Sequence, residues 1–308
     1  MNQRFLHLLA GALLTLLFYW MAGNLGPMGV LLLPVALLPP MYVHLRHGLA
    51  IGAGTILATT ALLVLLGNPS GGVVYLLQFG VPSLILPFLL RRQWLWDKAA
   101  ACTLAAAMGM LLVFFALQAG FSGTAMNEAV QLHIHGEMER ALAFYTQADL
   151  PEERLAELQT VARGMGEFLL RHYPGITVAV TGLLLLVSIG ALALLARGRF
   201  VIAGPPLRQW KLPEATIWLL IPAGAGALLA DGLGNQAAMN LLVVLLPLYF
   251  LQGLAVLAFF FQARGFSPVL RAFAFALVTL LHPLPFIVAG VGVFDLWADF
   301  RKPRPKQA

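Results

Sequence analysis

Charge is what this sequence has least of. Of 308 residues, 10% are Asp, Glu, Lys or Arg and 60% are hydrophobic, and the mean hydropathy is +0.85. Soluble domains carry roughly 25% charged and about 45–50% apolar residues. A water-soluble fold is therefore excluded, because no interior of this size could hide the surplus. Cysteine is nearly absent as well. The single one, Cys102, lies within an apolar run, which rules out an intramolecular disulfide and argues against a thiolate metal site. Catalytic signatures are also missing: no Walker A loop, no Gly-x-Ser-x-Gly elbow, no His-Glu-x-x-His and no cluster of carboxylates inside an apolar run. An ATPase, a protease or a metal-dependent lipid enzyme is not expected. The chain reads as a non-enzyme without a cofactor, and any energy coupling would come from an ion gradient or a partner subunit.

What fills the chain instead is uncharged stretches of membrane-crossing length. A helix rises ~1.5 Å per residue, so about twenty apolar residues cross the roughly 30 Å hydrocarbon layer. Such runs fall at 5–23, 28–44, 48–67, 72–90, 98–119, 174–196, 215–230 and 237–263. A last apolar region, 268–298, is divided by His282-Pro283-Leu284-Pro285. Proline lacks the backbone donor and disfavours helix in the residue before it, so two short helices joined by a turn are expected there. The fold class is all-α, a polytopic transmembrane bundle of about 8–10 segments. The first run has no Ala-x-Ala cleavage site before Pro27 and reads as a retained helix.

Lys and Arg set the orientation. With the N-terminus in the cytoplasm and ten segments, the inner side holds 15 basic and 4 acidic residues, and the outer side 4 and 9. Nine segments would move the basic tail Arg301–Lys306 outside, so the count favours ten, with both termini cytoplasmic. The clustering of basic residues between spans is a topology signal, and no nucleic-acid partner is implied. Tyr19, Trp20, Trp94, Trp96, Tyr173, Trp210, Trp218 and Trp297 mark span boundaries. Small residues such as Gly52, Gly54, Ala58 and Ala61 permit close helix approach in lipid.

Between five N-terminal spans (1–120) and the C-terminal ones (174–300, with a basic tail 301–308) lies one long extramembrane region, 121–173. Leu155, Leu158, Ala162 and Met165 recur at helical spacing, and Asp149-Leu-Pro-Glu152 reads as a helix start. Two amphipathic helices, about 124–148 and 151–172, are expected as an insertion folded over the outer face. His133-x-His135 with Glu137 and Glu139 invites a metal reading, but i and i+2 lie about 200° apart on a helix and do not converge on one ion.

Polar residues inside spans are the better functional candidates, because they face the bundle interior or a cavity. Asp231, in Ala230-Asp-Gly-Leu-Gly-Asn235, is either an interfacial turn residue or an outward contact for a cationic or hydroxylated solute. Asn240 and Gln252 share span 237–263, about 120° apart, and are either interhelical hydrogen-bonding groups or cavity lining. Asp295 offers a proton relay, or an ion pair with Arg264, Arg271 or Arg301 as the simpler account. Prolines at 34, 39, 40, 82, 87, 222 and 247 each free a backbone carbonyl, as in the broken helices around transporter solute sites.

Three stretches carry a family resemblance: Trp210-Lys-Leu-Pro-Glu214 leading to Trp218, Leu251-Gln-Gly-Leu-Ala-Val256, and Gly292-Val-Phe-Asp-Leu-Trp-Ala-Asp-Phe-Arg-Lys302. With the Tyr173-Pro174-Gly175 opening of a span, they make the chain resemble the YybS-like family of bacterial multi-pass membrane proteins. A polar, Asn-containing run is expected in that family before Arg197 and Arg199, where this chain has only Leu185–Ala196. The layout is loosely similar to the substrate-capture subunits of energy-coupling-factor transporters, a fold-level analogy only. The resulting expectation is a lipid-embedded protein that binds or helps move a small solute, with Asp231, Asn240, Gln252 and Asp295 as polar contacts and a coupling subunit as partner. The alternative is a scaffold that engages an envelope or cytoplasmic protein. A lipid-modifying enzyme ranks third.

Overall fold

The computed structural model describes residues 3–122, 128, 131, 134–136, 138, 139, 152–196 and 199–301. Among them there are helices and no strand. All ten apolar runs are helical. They form α1 (Gln3–Asn24), a 3-10 segment (Gly26–Leu32) feeding α2 (Leu33–His47), α3 (Leu49–Leu65), α4 (Pro69–Tyr75) continuing through a π-helical stretch (Leu76–Gly80) into α5 (Val81–Arg91), and α6 (Trp96–Ser122). After the insertion come α7 (Glu152–Leu195), α8 (Ile217–Leu229), α9 (Gly232–Ala263), α10 (Pro268–Leu280) and α11 (Leu284–Ala298). Six of these elements are long and apolar enough to cross a membrane, and α10 with α11 makes a seventh if counted as one bent span. Leu49–Leu65 and Glu214–Leu229 are shorter apolar helices, about 25 Å long at ~1.5 Å per residue.

Polarity is arranged inside out. Thr15, Thr55, Thr59, Ser83 and Thr103 are fully buried, whereas Leu228 and Leu229 are 86% and 84% exposed. Water would penalise that distribution and lipid favours it. The four threonine hydroxyls bond helix carbonyls, as Thr59 does to Thr55 at 3.0 Å and across to Ala12 at 3.4 Å.

The chain forms two compact units, Met1–Arg171 with Val180–Gly204, and His172–Ala179 with Pro205–Ala308. The first is organised around Leu37 and Met41 of α2, Ile56 and Leu63 of α3, Leu86 and Leu90 of α5, and Leu185 and Leu192 of α7. Tyr19 packs edge-on against Tyr75 and Phe79. The π stretch lies directly before Pro82, whose ring displaces the carbonyl four residues back and widens the turn. In the second unit α8 and α9 run antiparallel, with Asn235 bonded to the Ala227 carbonyl at 2.8 Å and Thr216 to Tyr249 at 3.0 Å.

One expectation changes. The sequence pattern ends the helix that starts near residue 152 by 172, yet α7 continues to Leu195 through Pro174. The backbone groups that proline disturbs find partners. Gly175 N–H donates to Asn240 Oδ1 at 2.8 Å, and Thr177 Oγ1 donates to the Tyr173 carbonyl at 2.7 Å. Re-satisfied in this way, a proline is tolerated within a span. The insertion helix is therefore continuous with the span. The expected helix over 124–148, the Asp149 cap, His133, Glu137 and the tail 302–308 lie outside the described residues, apart from the few positions given above. The expected pair of short helices at the end of the chain is present as α10 and α11, bent by 104° at the proline-flanked turn. Arg208, which precedes α8, bonds Gln262 near the end of α9, and Arg301 bonds the Arg208 and Trp210 carbonyls. These bonds tie the close of α11 to the segment before α8, and the bend makes the pair either a broken span or a re-entrant loop.

Candidate functional site

The four sequence-selected polar residues do not share one site. Asp231 is the exposed N-cap of α9, and its side chain makes no capping bond. Asn240 lies nine residues further, Gln252 another twelve. At ~1.5 Å per residue that separates the first and last by about 31 Å. Asn240 is spent on helix contact: its Oδ1 accepts from Gly175 and its Nδ2 donates to the Gln236 carbonyl at 2.8 Å. A Cβ on Gly175 would lie 2.5 Å from the Asn240 carbonyl oxygen, so glycine is what admits the approach. Substituting Asn240 by Leu strands the Gly175 N–H beside Pro174. We expect a loss of about 1–3 kcal/mol, read as a lower unfolding midpoint in detergent.

Gln252 and Asp295 do come together. Both are buried, at 0% and 1% exposure. Gln252 Oε1 accepts from Leu212 N–H at 2.9 Å, and its Nε2 donates to Asp295 Oδ2 at 3.1 Å. Arg301 Nη2 meets the same oxygen at 2.5 Å and Phe300 N–H reaches Oδ1 at 3.2 Å. The chain reverses through Asp299, whose φ of 40° is left-handed, a conformation Asp tolerates better than most residues. That reversal returns Arg301 to Asp295 and to the Trp210 carbonyl at 2.7 Å. Of the three arginines open as partners for Asp295, Arg301 is the one used. The network clasps the end of α11 to the segment before α8.

A second polar constellation is not marked by any sequence motif. In the first unit, the C-terminal ends of α2, α5 and α7 frame a cavity of about 330 Å³, lined by Tyr42, Leu45, Arg46, Arg91, Ala196, Arg199 and Phe200. Arg91 Nη1 donates to the Leu45 carbonyl at 2.7 Å, and Arg199 Nη1 to Tyr42 Oη at 3.3 Å. Cations at helix C-termini complement the macrodipole and the unpaired carbonyls there. Gly48, with φ of 93°, turns the chain between α2 and α3 beside this rim. In the sequence these arginines read only as topology markers. Their common signal is a basic residue at the close of a span, which does not say which spans adjoin.

Among the described residues, no three His, Cys, Asp or Glu side chains gather to hold a metal ion. No curated protein and no solved structure matches the chain. The family model described as a predicted membrane protein (DUF2232) matches residues 12–296, nearly the full length and including every stretch behind the YybS-like resemblance but its last six residues, and this chain belongs to that family.

Proposed function

We propose that the protein is a transporter-like, solute-binding subunit of the bacterial inner membrane, with no nucleotide site and no covalent chemistry of its own. Both termini and the arginine-lined cavity face the cytoplasm in this reading. The observation that carries it is the cavity itself, a polar opening of about 330 Å³ among span ends, within the size range of small-molecule sites. Because the Gln252 amide and the Asp295 carboxylate are already engaged by protein groups, the solute contacts are assigned to the cavity.

A scaffold is the second reading. What favours it is the 44-residue α7, whose Val161, Met165 and Phe168 are exposed at helical spacing before the span, an apolar stripe fit for an envelope partner. Native mass spectrometry of the gently extracted protein separates the two. A retained small molecule at one copy per chain is the expected result. A stoichiometric protein partner with no small-molecule mass overturns the solute reading.

A further inference from the structure

We propose that the cavity between the ends of α2, α5 and α7 is a phosphoryl-binding site, taking a phosphate group borne by a soluble ester or a lipid headgroup. The proposal rests on the reading of the cavity as the ligand site and adds the ligand's chemical class.

Charge comes first. Arg46 of α2, Arg91 of α5 and Arg199, four residues past the end of α7, line one cavity whose walls carry no carboxylate. None of the three forms an ion pair among the described residues. Bringing three cations together is unfavourable without a counter-charge. The three helix C-termini supply part of it. Each carries roughly half a negative charge, so together they leave about +1.5 of the arginines' three charges. A carboxylate brings one negative charge, whereas a phosphate monoester brings about 1.5 to 2 near neutral pH, which matches the remainder.

Geometry agrees. Guanidinium forks pair with tetrahedral phosphate oxygens through parallel N–H donors. Two of the three forks are already held, one by the Leu45 carbonyl and one by Tyr42, each through a single nitrogen, which leaves further N–H donors unused. Such preorganisation lowers the ordering cost of binding. Leu45, Ala196 and Phe200 add an apolar wall for the carbon part of an ester. Trp94 and Trp96 follow Arg91 by three and five residues, which marks this end of the bundle as a headgroup-level boundary.

The test uses the full chain purified in zwitterionic detergent. Inorganic phosphate and glycerol 3-phosphate are titrated by calorimetry, with succinate and chloride as comparison anions. In parallel, nanodiscs of phosphatidylcholine with or without phosphatidic acid are assayed by native mass spectrometry for retained lipid. Saturable binding of either phosphate probe, weakened about tenfold by Arg46→Gln or Arg199→Gln, supports the site with a soluble ligand. Retention of phosphatidic acid, lost in the same variants, supports it with a lipid ligand. Arg92→Gln removes the same charge from a residue that lies over Phe88 and outside the cavity, and should change neither. An equal loss in Arg92→Gln overturns the proposal, because binding would then follow net charge. Succinate bound in preference to phosphate overturns the phosphoryl assignment and leaves the solute reading standing. No anion bound at all overturns the site. Arg91→Gln also removes the Leu45 carbonyl contact, so a folding defect there leaves the test to the other two arginines.

Discussion

Alanine in place of Asp295 is expected to destabilise the second unit by about 3–5 kcal/mol, the usual consequence of removing one partner from a buried ion pair. The carboxylate accepts three bonds, from Arg301, Gln252 and Phe300. Its loss leaves a guanidinium that is only 8% exposed facing two carbonyls and no counter-ion. Total stabilities are typically about 5–15 kcal/mol, so this single change removes a large share. Two measurements should move together. The unfolding midpoint in detergent falls, and trypsin gains access to the bond after Arg301, which the native clasp protects. The paired change Asp295→Leu with Arg301→Met should recover most of the loss, because removing both charges also removes their desolvation cost. Lys211→Ala serves as the contrast. Its bond to Asp299 is made by a side chain 46% exposed, and surface pairs contribute about 0–1 kcal/mol. If Asp295→Ala matches Lys211→Ala in both readouts, the clasp is not a stabilising device.

The difference between these two ion pairs is not readable from the sequence, and the reason is general to this chain. Apolar runs identify all ten helical stretches, and six of the helices, or seven with the bent pair, reach membrane-crossing length, because the bilayer imposes one requirement on every span. The turn at His282-Pro283 is equally legible, since proline acts locally. What local rules leave open is which elements adjoin. Asp295 has three arginines as candidate partners, and only the reversal at Asp299 selects Arg301. Proline shows the same limit. Pro82 follows a π-widened turn while Pro174 sits in an unbroken helix, because Asn240, 65 residues away, supplies the acceptor that Gly175 needs. Asn240 and Gln252 are legible as polar groups needing partners, and both find them in protein. The basic cavity is hidden for the opposite reason. Its arginines already have a sufficient explanation as topology signals, and their convergence is a tertiary fact.

The second large effect is expected at the α9–α11 crossing, where two glycines bring backbones into contact. A Cβ on Gly292 would overlap the Tyr249 carbonyl oxygen and lie 2.8 Å from the Gly253 nitrogen. A Cβ on Gly253 would overlap the Val288 carbonyl oxygen and lie 2.8 Å from its carbon. The obstacles are backbone atoms, which cannot rotate aside, so even alanine must push the helices apart. Without a hydrophobic drive between helices in lipid, close packing of this kind is what holds them together. Gly292→Ala should therefore cost at least about 1–3 kcal/mol, the range for overpacked sites, and Gly292→Val more. Separation of the helices also stretches the Gln252–Asp295 bond, which bridges the same two elements. Gly292→Ala and Asp295→Ala should thus combine to less than their sum, as coupled neighbours do. Gly290 lies two residues away on α11, and a Cβ there would meet nothing within 4 Å. Gly290→Ala should accordingly gain up to about 1 kcal/mol from helix propensity. Unfolding midpoints of the three variants, with tryptic cleavage after Arg301 as the second readout, decide the matter. Equal midpoints for Gly290→Ala and Gly292→Ala would show that the two helices do not meet backbone to backbone.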